Sequence, residues 1–113
     1  MPQFLYCVRP LRAGFLTGPT SEEAARVDEH FAYLVRLART GKVLLAGRTQ
    51  NEDETAYGIV LLEAETREEA EAITREDPAV RACVFSAELF PYRIAIASPR
   101  LTEFALPPDA TSS

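Results

Sequence analysis

The stretch "GKVLLAGRTQNEDETAYGIVLLEA", Gly41 to Ala64, decides how this chain folds. Two short apolar runs, "KVLLAG" and "AYGIVLLEA", flank the polar, turn-rich "RTQNEDET". That punctuation reads as two strands joined by a hairpin loop. A helix lies on either side. Upstream, Thr20 and Glu23 form a Thr-x-x-Glu capping box, and Val27, His30, Phe31, Leu34, Leu37 and Ala38 recur at helical spacing. Glu22 and Arg26 sit one turn apart on the solvent side, and Gly41 follows the last turn where a helix takes a left-handed cap. The spacing predicts a helix from Ser21 to Thr40. Downstream, Thr66 and Glu69 repeat the capping box ahead of "REEAEAITRE", with Ala70 and Ile73 as its apolar stripe.

The outer elements follow. "QFLYCVRP" reads as a first strand, with Phe4, Tyr6 and Val8 pointing one way and Leu5, Cys7 and Arg9 the other. Asp77-Pro78 ends the second helix, because a residue before proline avoids the helical region. "ACVFSAELFPY" is the last strand. The order β-α-β-β-α-β is the split arrangement of an α+β, ferredoxin-like fold, with both helices on one face of the sheet. A half-exposed sheet would alternate apolar and polar residues. "YCV", "VLLAG" and "GIVLL" do not, so a second copy of the chain is expected to cover the open face. Two such sheets face to face make a dimeric α/β barrel. Residues 1–93 form this domain. Residues 94–113 are a C-terminal extension, partly disordered, in which Phe104 and Leu106 can anchor on the domain or on the partner subunit.

Composition bounds the function. At 113 residues, 47% hydrophobic and 26% charged, the chain is one ordinary globular domain. A net charge of −5 with no Lys/Arg cluster disfavours nucleic-acid binding. No apolar run approaches the roughly 18 residues that span a bilayer, and "MPQFLYCVRP" lacks the features of a signal peptide, so a cytoplasmic location is the default and no membrane partner is expected. Cys7 and Cys83 lack CxxC spacing and a neighbouring histidine, which argues against a zinc site. Each sits in a strand-like run as a small hydrophobe. No phosphate-binding glycine loop, GxSxG or HExxH occurs, and no cofactor is expected.

"DEHFAYL", "GKVLLAG", "TREEAEAI" and "EDPAVRACVF" occur in an order and spacing that resemble the YCII family, over about residues 3 to 93. The specific parts are the histidine followed by "xxYL", the G-K-x-L-L-A-G run and the DP-x-V-x-A segment. The resemblance implies a ferredoxin-like subunit that pairs into an α/β barrel, in a family whose members are suspected of acid/base chemistry on small molecules. It places the family's histidine and aspartate on His30 and Asp77. The chain departs at Arg48, where the family often has proline, at Cys83, where it often has glycine, and in the tail from Ile94.

His30, the only histidine, stands one turn from Val27 and from Leu34 and so faces the sheet. In this topology the first helix starts at the far end of the first strand, and Asp77 precedes an antiparallel last strand. Both residues therefore lie toward one end of the sheet. A carboxylate beside an imidazole fixes its tautomer, the usual arrangement for a general base. Two readings stay open. His30 and Asp77 are a catalytic pair, or His30 is a satisfied core residue and Asp77 a helix stop. Tyr6 either lines the cavity or packs in the core. Arg9, Arg48 and Arg81 either hold an anionic substrate or are surface residues. Tyr33 and Tyr57 read as packing residues. The leading expectation is a cofactor-free lyase, isomerase or dehydrohalogenase acting on a small, aromatic or lactone-like molecule. The rival is a non-catalytic ligand-binding or accessory dimer, and a cavity reaching His30 and Asp77 separates the two.

Overall fold

Alternation along the first strand sets the sheet. In β1 (Gln3–Pro10) Phe4, Tyr6 and Val8 are buried, whereas Leu5, Cys7 and Arg9 face the other side. The computed structural model, which describes residues 1–104 and 106, pairs β1 antiparallel with both β3 (Gly58–Glu63) and β4 (Phe85–Tyr92). Strand β2 (Val43–Arg48) pairs antiparallel with β3, so the hairpin forms as expected and the order is β2-β3-β1-β4. With helices α1 (Ser21–Arg39), α2 (Arg67–Glu76) and α3 (Pro78–Arg81), this is an α+β, ferredoxin-like architecture. Phe4, Tyr6 and Val8 join Val60, Leu62, Leu34, Ala70 and Ile73 in the core beneath the helices. No helix is long and apolar enough to cross a membrane among the described residues. The expected disorder of the chain's end concerns residues outside those described.

Helix ends follow the chemistry of their residues. Thr20 accepts from the Glu23 amide, while Glu23 accepts from the Thr20 amide. At the other end the Gly41 amide donates to Ala38 and the Lys42 amide to Leu37, with Gly41 at φ 83°. This left-handed closure suits a residue without Cβ. Thr66 likewise accepts from Glu69, but the Glu69 carboxylate turns back to the amide of Glu65, one residue before the cap.

The last strand departs from expectation. It begins at Phe85 rather than Ala82. Asp77 stops α2, caps the short α3, and the chain then closes through bonds from the Cys83 amide to Val80 and the Val84 amide to Ala79. Cys83 occupies the left-handed position of that closure at φ 59°. A Cβ there costs about 1–2 kcal/mol, while glycine gives back about 0.5–1 kcal/mol in unfolded-chain entropy. Cys83→Gly is therefore expected to raise stability by about 0.5–1 kcal/mol in thermal melts. Cys83→Ala, which keeps the Cβ, should leave the midpoint unmoved. Equal gains in both variants would assign the effect to the thiol.

Two features shape the rest. On the open side of the sheet, Leu45, Leu61, Leu5 and Phe90 stand in one cross-strand row spanning all four strands. On the helix side, α1 covers the β2–β3 half loosely. Only Leu34 of its apolar stripe is buried, Phe31 is 57% exposed, and β2 is exposed after Val43, where a bulge shifts its register.

Candidate functional site

The loose cover of α1 leaves a groove of about 1010 Å³ between that helix and the sheet. Its floor is Val8, Gly58 and Val60, its helical wall Val27, Phe31, Leu34 and Val35, and its edge the β2 strand. Such a volume is at the upper end for a small-molecule site. Among the described residues that line it, only His30, Arg48 and Tyr57 carry a polar side-chain group.

His30 stands where this groove meets a buried polar cluster. Its side chain is 14% exposed, and its Nδ1 lies 2.7 Å from Asp77 Oδ2 and 2.8 Å from Oδ1. Asp77 is fully buried. Its Oδ2 also accepts from the Tyr6 hydroxyl at 2.8 Å, and its Oδ1 from the Ala79 amide at 3.0 Å. Three donors thus converge on one carboxylate, which compensates its removal from water. A carboxylate only accepts, so it draws the ring proton of His30 to Nδ1. The lone pair of Nε2, which has no hydrogen-bond partner among the described residues, is then free for a proton from the groove.

Surrounding groups fix this arrangement. Burial, the charge of Asp77 and the bond to it together push the Tyr6 phenol far above its ordinary range, so it stays a donor. Tyr33 donates to the Ile73 carbonyl at 2.6 Å and ties α1 to the last turn of α2, just ahead of Asp77. Burial first, then the charges of Glu76 and Asp77, push the Tyr33 phenol up to about 12. The ring of Phe85 meets that of His30 edge-on at 5.4 Å, and Phe15 meets Phe85 the same way at 5.6 Å. The loop bearing Phe15 is held by Arg12, which donates to both carboxylate oxygens of Glu23 and to the Gly18 carbonyl. Those bonds from Arg12 hold the Glu23 carboxyl down at about 2, so the latch keeps its charge at neutral pH.

The structure brings His30, Asp77 and Tyr6 together. Tyr6 is buried behind the pair and is not among the groove-lining residues, so it reaches Asp77 instead of a ligand. Arg9 is not among the groove-lining residues, but its guanidinium lies over the ring of groove-lining Tyr57 at 5.0 Å. Arg48 does line the groove, at its β2 end, with Nε donating to the Thr49 carbonyl. Arg81 is exposed at the end of α3. The aromatic pair Phe15 and Phe85 escaped the sequence reading. The donor role of Tyr6 had one signal: a phenol on the buried face of a strand needs a partner. No group of three or more His, Cys, Asp or Glu residues suited to a metal ion occurs among the described residues.

The YCII-related domain model matches residues 4–93. The chain belongs to the YCII-related domain family. This YCII-domain chain also resembles a solved structure, the 5-chloro-2-hydroxyhydroquinone dehydrochlorinase from Burkholderia phenoliruptrix AC1100 in complex with 2,5-dihydroxybenzoquinone. The two share 22% identity at a TM-score of 0.58, over 80% of this chain and 93% of the dehydrochlorinase, which at that identity is a likeness of fold. No curated protein matches the YCII-domain chain.

Proposed function

We propose that this YCII-domain chain is an acid/base enzyme of the lyase, isomerase or dehydrohalogenase type, acting on a small ring-bearing molecule with His30 as the base and Asp77 as its orienting partner. The observation that carries the reading is that His30 lines an apolar groove while its Nδ1 is held by a buried, three-donor carboxylate, which leaves Nε2 as the nitrogen available to a ligand. In an elimination, Nε2 takes a proton from the substrate, the electron pair left behind forms a π bond, and the leaving group departs with its own pair. The chemistry needs only proton transfer, which side chains supply. Apolar walls suit a ring, and Arg48 suits an anionic substituent on it. The dehydrochlorinase that shares the fold makes chlorinated hydroxyquinols the first substrates to try. Incubation with 5-chloro-2-hydroxyhydroquinone, followed by chloride release and the quinone absorbance, tests the reading. If neither this compound nor related ring acids are turned over or disturb the His30 ring signals in NMR, the ligand-binding reading fails with the enzymatic one.

The working unit is proposed to be a homodimer with the open sheet faces apposed. The cross-strand row of Leu45, Leu61, Leu5 and Phe90 supports this, since its two ends, Leu45 and Phe90, are exposed in the single chain. Light scattering at micromolar concentration should report twice the chain mass. Phe90→Glu, at an exposed end of the row, would bury an unpaired carboxylate between the copies and weaken association by about a hundredfold or more. A wild-type protein that stays monomeric would end the dimer proposal.

A further inference from the structure

Beyond the family-matched residues, the chain does not simply trail away. After β4 the Ile94 amide donates to Gln3 Oε1 at 2.8 Å, at the start of β1. The segment then forms a 3-10 turn over Pro99–Glu103, capped by Ser98, which accepts from the Arg100 amide. Thr102 Oγ1 donates back to the Pro99 carbonyl, and Arg100 bridges Glu103 at 3.2 Å on the solvent side. The apolar residues of the same segment go elsewhere: Leu101, Phe104 and Leu106 line the groove that holds His30. Those contacts leave them 47%, 75% and 45% exposed. A self-capped turn thus presents three apolar side chains to the mouth of the site without burying them.

We propose that Leu101, Phe104 and Leu106 are the outer wall of the His30 groove, a lid that packs on the ring of a bound small molecule and sets how large and how apolar that molecule is. The proposal deepens the reading of this groove as a ligand site and rests on it. Three arguments select a ligand as the occupant. The lid residues share one cavity with His30, and Phe31 and Leu44, which also line it, are themselves exposed apolar residues in the single chain. The charged pair Arg100 and Glu103 gives the segment a solvated outer side, as a surface flap needs and a buried interface does not. The helical wall of the groove, Val27, Phe31, Leu34 and Val35, stands on the helix side of the sheet, and of the open-face apolar row only Leu45 of the edge strand β2 reaches the groove.

The test uses the full-length chain and its single histidine. The probes are anilinonaphthalene sulfonate, whose rings and anion match the apolar walls and Arg48, and diethyl pyrocarbonate, whose reaction at His30 is followed by mass spectrometry. In Leu101→Ser/Phe104→Ser the dye should bind about tenfold more weakly, from the lost apolar contact. Carbethoxylation of His30 should become several times faster, and dye should no longer slow it. Ile96→Ser changes a tail residue that is 92% exposed and lies outside the groove, so it should match the wild type in both readouts. Equal dye affinity and equal protection of His30 in wild type and double variant overturn the lid. A change in oligomeric mass in the double variant also overturns it, by assigning these residues to a contact between copies. Failure of the dye to protect His30 even in the wild type would strike the ligand reading itself.

Discussion

Asp77→Ala should cost the chain about 3–5 kcal/mol of stability. Three donors lose their acceptor at once. The Tyr6 hydroxyl is left buried with nothing to bond, the Ala79 amide loses its cap, and His30 loses the group that holds its ring. Each is a desolvated group stranded, which is costlier than an interaction never made. Against a total of about 5–15 kcal/mol for a domain, this is a large share, and the melting midpoint should fall by more than about 12 °C. Asp77→Asn keeps the shape and one carbonyl acceptor and should cost far less. If Asp77→Ala melts within a few degrees of the wild type, the carboxylate does not organise this end of the fold. The companion Tyr6→Phe removes a single donor, costs about 1 kcal/mol, and separates the hydroxyl's share.

His30→Gln should leave the fold intact and slow proton transfer by about 10²–10⁴-fold. An amide can still donate toward Asp77, so the carboxylate keeps a partner, but it offers no basic lone pair to the groove. With substrate held by apolar walls that the substitution does not touch, the loss should fall on kcat and leave KM nearly unchanged. A variant that loses binding with undiminished kcat would show that His30 holds the ligand and does no proton transfer. The ring's own state has an independent readout. Nitrogen-15 spectra of the single histidine should show the proton on Nδ1 in the wild type and a mixture of tautomers in Asp77→Asn, whose side chain can donate as well as accept.

Much of this architecture can be read from local chemistry. The capping residues Thr20 and Thr66, the period-two burial of β1 and the polar hairpin loop each specify their element without tertiary help. The approach of His30 to Asp77, 47 residues apart, follows from antiparallel pairing of β1 with β4. What escaped depends on how well neighbours fit. The apolar stripe of α1 predicts burial, yet Phe31 stands exposed in the wall of the groove, where the helix and the sheet do not close on one another. Periodicity tells which way a side chain points and is silent on whether anything meets it. The late start of β4 turned on one backbone angle at Cys83, a residue type that ordinarily argues for continuing a strand. The bond from Tyr6 to Asp77 spans 71 residues, and a phenol on the core face of a strand does not announce its partner.

The first strand of the chain is seated between the third and the last. On the ribosome, β1 therefore emerges first and waits for β4 to complete its second ladder. At about 5–20 residues per second, that interval lasts some seconds. Throughout it, one edge of β1 offers unpaired amides and carbonyls beside Phe4, Leu5 and Tyr6, the kind of edge that recruits other chains. A pause in translation before β4 has emerged would lengthen the exposure. The vulnerable moment in the life of this protein is set by strand order, before the groove around His30 has formed.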